Sequence, residues 1–131
     1  MNYFTLFAGI IALIAVIGHF AMGKKMYLTP VLKSDIDEVP KKVVESLFHY
    51  MSAFMIITTF FLIWSSFGMC RLFEHTNEVA LFIGIIYGGF AITQFIIALI
   101  SSIKMGPLKM FQWIFWMAIS VLSILGGVLT S

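Results

Sequence analysis

The chain has 131 residues, 61% of them hydrophobic and only 11% charged, with a net charge of +2. A soluble domain is nearer about 45–50% apolar and about 25% charged, and a soluble chain this short has too little interior for so much apolar side chain. The composition points to a membrane protein, and no nucleic-acid signature accompanies the small charge.

Four apolar runs each come near the roughly 20 residues that a helix needs to cross about 30 Å of hydrocarbon. They are continuous rather than alternating in polarity, which sets a membrane β-barrel aside. The expected fold is all-α, a polytopic membrane protein built as a four-transmembrane-helix bundle, with residues 1–131 forming a single domain.

The first span covers about Tyr3 to Met22. No Lys or Arg precedes Lys24 and the run is long, so it reads as a retained span and not as a cleaved signal peptide. Small and polar residues mark the faces along which membrane helices approach each other, and here they are Thr5, Ala8, Ala12, Ala15 and His19 at helical spacing. The stretch 23–42 reads as a mixed-charge loop with Lys24, Lys25, Lys33, Lys41 and Lys42 beside Asp35, Asp37 and Glu38. Its Lys pairs anchor helix ends by snorkelling or meet anionic headgroups. Pro40 suits the first turn of the next helix, where its missing N–H costs nothing.

The second span covers about Val43 to Gly68, with Glu45, His49, Ser52, Thr59 and Ser66 as its polar stripe. The loop after it holds the only cysteine, Cys70, which excludes an intramolecular disulfide and a CxxC metal site. Beside Arg71, Cys70 is either a reactive thiolate or an inert residue at a span end. Glu74, His75 and Glu78 form either a weak metal site or an ordinary solvated turn.

The third span covers about Val79 to Ser102, with Gly84, Gly88, Ala91, Gln94 or Phe95, and Ala98 on one face. Gly84-x-x-x-Gly88 is a helix-packing signal, within the chain or across a dimer. Gly106-Pro107 marks a tight turn. The fourth span covers about Met110 to Thr130, with Gln112, Trp116, Ser120, Ser123 and Gly127 in line. Trp64 and Trp113 fit interfacial belts, and the nine Met residues read as lipid-facing or gap-filling side chains.

Lys and Arg in short loops set orientation. Seven lysines fall in the stretches 23–42 and 103–109, against Arg71 alone on the other side. Those two stretches are expected to be cytoplasmic, with both termini periplasmic, in a bacterial inner membrane. The lipid bilayer is the expected partner, with a second copy of the chain or another membrane protein as further candidates.

His19, Glu45, His49, Gln94 and Gln112 all fall in the cytoplasmic half of the bundle. Polar groups in hydrocarbon must find each other, water or a ligand. Three readings stay open. The cluster is structural and fixes helix packing. It is a small-molecule, ion or proton site, since imidazoles titrate near neutral pH. Or it is a haem or divalent-metal site ligated by His19 and His49, since bundles hold cofactors between facing helices.

The segments GHFAMGKKMYLTPVL (Gly18 to Leu32) and SLFHYMSAF (Ser46 to Phe54) resemble a group of small four-span bacterial inner-membrane proteins. Those carry a Gly-His near the end of the first span and a His early in the second. QWIFWMAISVLSILG (Gln112 to Gly126) is similar to their fourth span. The resemblance implies no activity; it implies that His19, His49 and Gln112 are the residues to change first.

No catalytic constellation accompanies these residues: there is no Gly-x-Ser-x-Gly elbow and no phosphate loop. The Arg-rich sites of four-span eicosanoid and glutathione enzymes are absent, as the only Arg is Arg71. Small multidrug transporters rely on a Glu in the first span, where this chain has His19. The expected function is that of a small accessory or binding protein of the membrane with a cytoplasm-facing polar site. The alternatives are a homo-oligomeric transporter of an ion or small molecule, and a haem- or metal-binding redox protein.

Overall fold

A computed structural model describes residues 1–68 and 75–129. Of these, 86% are helical and none is in a strand. The elements are α1 (Tyr3–Gly18), a π-helical segment (His19–Leu28), α2 (Thr29–Leu32), α3 (Glu38–Ser66), α4 (Thr76–Ile100), α5 (Gly106–Lys109) and α6 (Gln112–Leu129). Four helical runs are long and apolar enough to cross a membrane: Tyr3–Leu32, Glu38–Ser66, Thr76–Ile100 and Gln112–Leu129. The architecture is an all-α four-helix bundle.

The first run does not stop at Met22. It continues for 30 residues to Leu32, so most of the expected loop 23–42 is helix. No strong helix breaker stands between His19 and Thr29, and charged residues extend a helix readily once it leaves hydrocarbon. Pro30 lacks an N–H and crowds the preceding turn. The wider π geometry before it accommodates this, with Thr29 N–H and Thr29 Oγ1 both donating to Lys24 O, the latter at 2.9 Å. Only Lys33–Asp37 turns the chain before α3 begins, with Glu38 and Pro40 in its first turn.

Both polar ends of Asn2 are used. Its Oδ1 accepts from Thr5 N at 3.1 Å and caps α1. Its Nδ2 donates to Gly126 O on α6 at 2.9 Å, and its backbone N–H to Ser66 O on α3 at 2.8 Å. Gly127 of α6 lies against Asn77 O at the start of α4. All four long helices are therefore level at the Asn2 end, and the lysines gather at the opposite end.

From this common level the helices run unequal distances. At about 1.5 Å per residue, α3 extends roughly 42 Å and α6 only roughly 21 Å before its first residue, Gln112. The lysine end is thus stepped, with the α1–α2 run and α3 projecting furthest.

α1 lies between α3 and α6 and buries Thr5, Ala8, Gly9, Ala12 and Ala15. α4 packs along α6. α3 and α4 meet through larger groups: Tyr87 is fully buried, its hydroxyl 2.9 Å from Thr58 Oγ1, with Phe54, Phe90 and Trp116 around its ring. Met55, Leu62 and Ile119 complete the centre.

Gly84 and Gly88 both face α6. A Cβ on Gly84 would come within 2.8 Å of Ile124 Cγ1 and 3.0 Å of the Ile124 nitrogen and Ser120 oxygen. On Gly88 it would press only on Ser120 Oγ, at 2.9 Å, and that hydroxyl can rotate. Between α4 and α6, Met105 adopts a left-handed conformation (φ 60°) and Gly106 sits where a Cβ would strike Ala98 O. Gly84→Ala should destabilise the protein by about 1–3 kcal/mol, the usual cost of overpacking, and Gly88→Ala by clearly less. Thermal unfolding in detergent measures both; equal losses would contradict the α4–α6 contact.

Candidate functional site

The five polar residues singled out by depth separate into two groups. The first lies on the π-helical segment and α3. His19 Nε2 is 2.8 Å from Ser52 Oγ, and its ring stacks on Phe48 with centroids 4.0 Å apart. Ser52 Oγ also lies 2.9 Å from Phe48 O, to which it can donate. With that proton on Phe48 O the imidazole donates to Ser52 from Nε2, and in the other tautomer Ser52 donates to Nε2. Nδ1 lies beside Gly23 of the π-helical segment. His19 is the first residue of the π-helical segment.

His49 does not continue the inward stripe. Phe48, four residues before Ser52, takes that position and leaves His49 turned away by about 100°, its ring edge-on to Phe48 and its side chain exposed. Glu45 does not bond to His49. It accepts from Lys42 Nζ at 2.8 Å, at the edge of the bundle. Glu45 is still within electrostatic reach of His49 and Lys24, and His19 within reach of His49. Counted from the Asn2 level, His19 and His49 each lie about 17 residues along, or roughly 25 Å deep at 1.5 Å per residue. That places both imidazoles just inside the far edge of a hydrocarbon layer of about 30 Å.

The second group joins α4 to α6. Gln94 Nε2 donates to Gln112 Oε1 at 2.8 Å, and Trp116 Nε1 donates to Gln94 Oε1 at 2.9 Å. This chain of bonds fixes one helix on the other. Trp116 was legible in the sequence only as a packing residue, and its donor role depends on Gln94 lying opposite. Trp113, near the start of α6, donates to Pro107 O at 2.9 Å and ties down the turn before it.

Ser52 and Phe48 complete the His19 site and were not singled out from the sequence as site residues. Their signal was the four-residue spacing into Ser52. Three buried hydroxyl oxygens, on Thr5, Thr59 and Ser123, find no partner among the described residues. No group of three His, Cys, Asp or Glu side chains able to hold a metal ion occurs among the described residues. His75 Nδ1 stands 4.0 Å from Glu78 Oε1, both side chains exposed. Cys70, Arg71 and Glu74 lie outside the described residues.

No family model, curated protein or solved structure matches this chain. The assignment of roles therefore rests on geometry.

If Gln94 is the middle of a packing clamp, Gln94→Leu should lower stability by about 1–2 kcal/mol, since one interhelical hydrogen bond in a membrane is worth roughly 0.6 kcal/mol and at most about 1.7. Trp116→Phe should cost less. The double variant should cost less than the sum of the two, because the changes share one bond. Chemical unfolding in micelles reads this, and strict additivity would contradict the clamp.

Proposed function

We propose that the chain is a small accessory or binding protein of a bacterial inner membrane, with both termini periplasmic and the stretches 23–42 and 103–109 cytoplasmic. Its site is the His19 group, opening toward the lysine end. What supports this reading is His19 itself: one ring nitrogen engages Ser52, Phe48 covers one face, and the other ring nitrogen lies beside Gly23. An imidazole held by its neighbours in this way is arranged to exchange a proton or a hydrogen bond with a small polar ligand. His49, Glu45 and Lys24 supply a polar surround on the cytoplasmic side. Gln94 and Gln112 belong to the packing of α4 on α6 and not to the site.

Two measurements test the proposal. Native mass spectrometry of protein extracted in mild detergent should show a small adduct that His19→Ala loses and Gln94→Leu retains. No adduct on the unaltered protein, or an adduct that survives His19→Ala, would count against the site. For orientation, an alkaline phosphatase fused after Ser131 should be active in the periplasm. A fluorescent reporter that matures in the cytoplasm at that position would reverse the orientation.

A further inference from the structure

The buried hydroxyls of the bundle fall into two classes. On α3, Thr58, Ser65 and Ser66 each bond back to a carbonyl three or four residues earlier in the same helix. That is the common refuge of a Ser or Thr inside a helix. Thr5, Thr59 and Ser123 do not take it. They are 2%, 5% and 0% exposed, and their hydroxyl oxygens find no partner among the described residues, on their own helix or on a neighbour. A buried hydroxyl left without a partner is costly, and three in one small bundle call for an explanation.

All three lie toward the Asn2 end. Thr5 is three residues from Asn2, and Ser123 is three residues from Gly126, whose carbonyl Asn2 bonds. Thr59 is seven residues from Ser66, whose carbonyl accepts from the Asn2 backbone. At about 1.5 Å per residue, they sit roughly 5 to 10 Å below that level. They also lie along one helix. Thr5 belongs to α1 and meets Gly126 of α6, one turn beyond Ser123. Thr59 shares the stripe of α3 on which Leu62 meets Gly9 of α1 and Ser66 meets Asn2. At this depth α1 turns Ala8 and Ala12 inward, and neither side chain has a polar atom to give. At the Asn2 level itself is a pocket of about 240 Å³, lined chiefly by Asn2, Ser65, Ser66, Thr76 and Asn77. It is polar and has room for several water molecules.

We propose that water enters the bundle from this pocket and is held as ordered internal molecules by Thr5, Thr59 and Ser123. A hydroxyl both donates and accepts, and internal water typically bonds buried polar groups that the chain leaves unpaired. The site is at the opposite end of the bundle from His19 and does not depend on its role.

Thr58 and Thr59 form a matched pair for the test. They are neighbours in sequence and both 5% exposed, but Thr58 bonds Phe54 O and the Tyr87 hydroxyl. In water-edited solid-state NMR of the unaltered full chain in bilayers, the Cβ signals of Thr5, Thr59 and Ser123 should gain magnetisation from water several times faster than that of Thr58. Build-up no faster than that of Thr58 overturns the proposal. Stability supplies an independent sign. Removing an unpartnered buried hydroxyl relieves a cost, whereas removing a water-bonded one breaks a hydrogen bond and strands the water. Thr59→Val and Ser123→Ala should therefore each lower the thermal unfolding midpoint. A rise in the midpoint for either variant overturns the proposal.

Discussion

A polar group inside hydrocarbon has no water to turn to, so it must be satisfied by the chain itself or by a ligand. That constraint organises the bundle. The backbone meets it by folding almost entirely into helices. Several of the rare polar side chains meet it in pairs and short chains, namely Asn2 across three helices, Thr58 with Tyr87, Ser52 with His19, and Trp116 through Gln94 to Gln112, while the buried hydroxyls of Thr5, Thr59 and Ser123 find no partner among the described residues. Close approach of the helices comes from small residues at their crossings, because apolar surface alone does not drive helices together in lipid.

The Asn2 junction has a consequence at the opposite end. With the helices level on one side, their different lengths appear wholly on the other. The long hairpin of α1–α2 and α3 projects, while α6 begins deeper. His19, His49 and Gln94 then fall at nearly the same depth on three helices, yet they serve different ends. On α4 and α6 the polar groups face each other and close. On the π-helical segment and α3 one imidazole is anchored and the other faces outward, which leaves a half-exposed group near the membrane edge. The same physical requirement thus gives a clamp on one side of the bundle and a candidate binding site on the other.

Much of this architecture was legible in the sequence. Thr5, Ala8, Ala12 and Ala15 recur at helical spacing on a strongly apolar helix, so the inward face of α1 could be read directly. Gly84 and Ser120 were readable for the same reason. His49 was not. Neighbouring positions differ by about 100° around a helix, and only the contact of Phe48 with His19 shows which of the two residues faces α1. The charged stretch 23–42 read as a loop because charge rarely lies within hydrocarbon, yet a helix that has crossed the membrane can continue beyond it, as this one does to Leu32. Asn2 was not singled out in the sequence; its bonds to α3 and α6 depend on the tertiary arrangement.

The central claim is that the α4–α6 clamp is closed and dry while the His19 group is open to water. Water-edited solid-state NMR of the protein in bilayers tests this in one spectrum. The side-chain nitrogens of His19 and His49 should gain signal from water rapidly, and those of Gln94 and Trp116 slowly. The opposite order, with wet glutamine and tryptophan signals and dry histidines, would contradict the account.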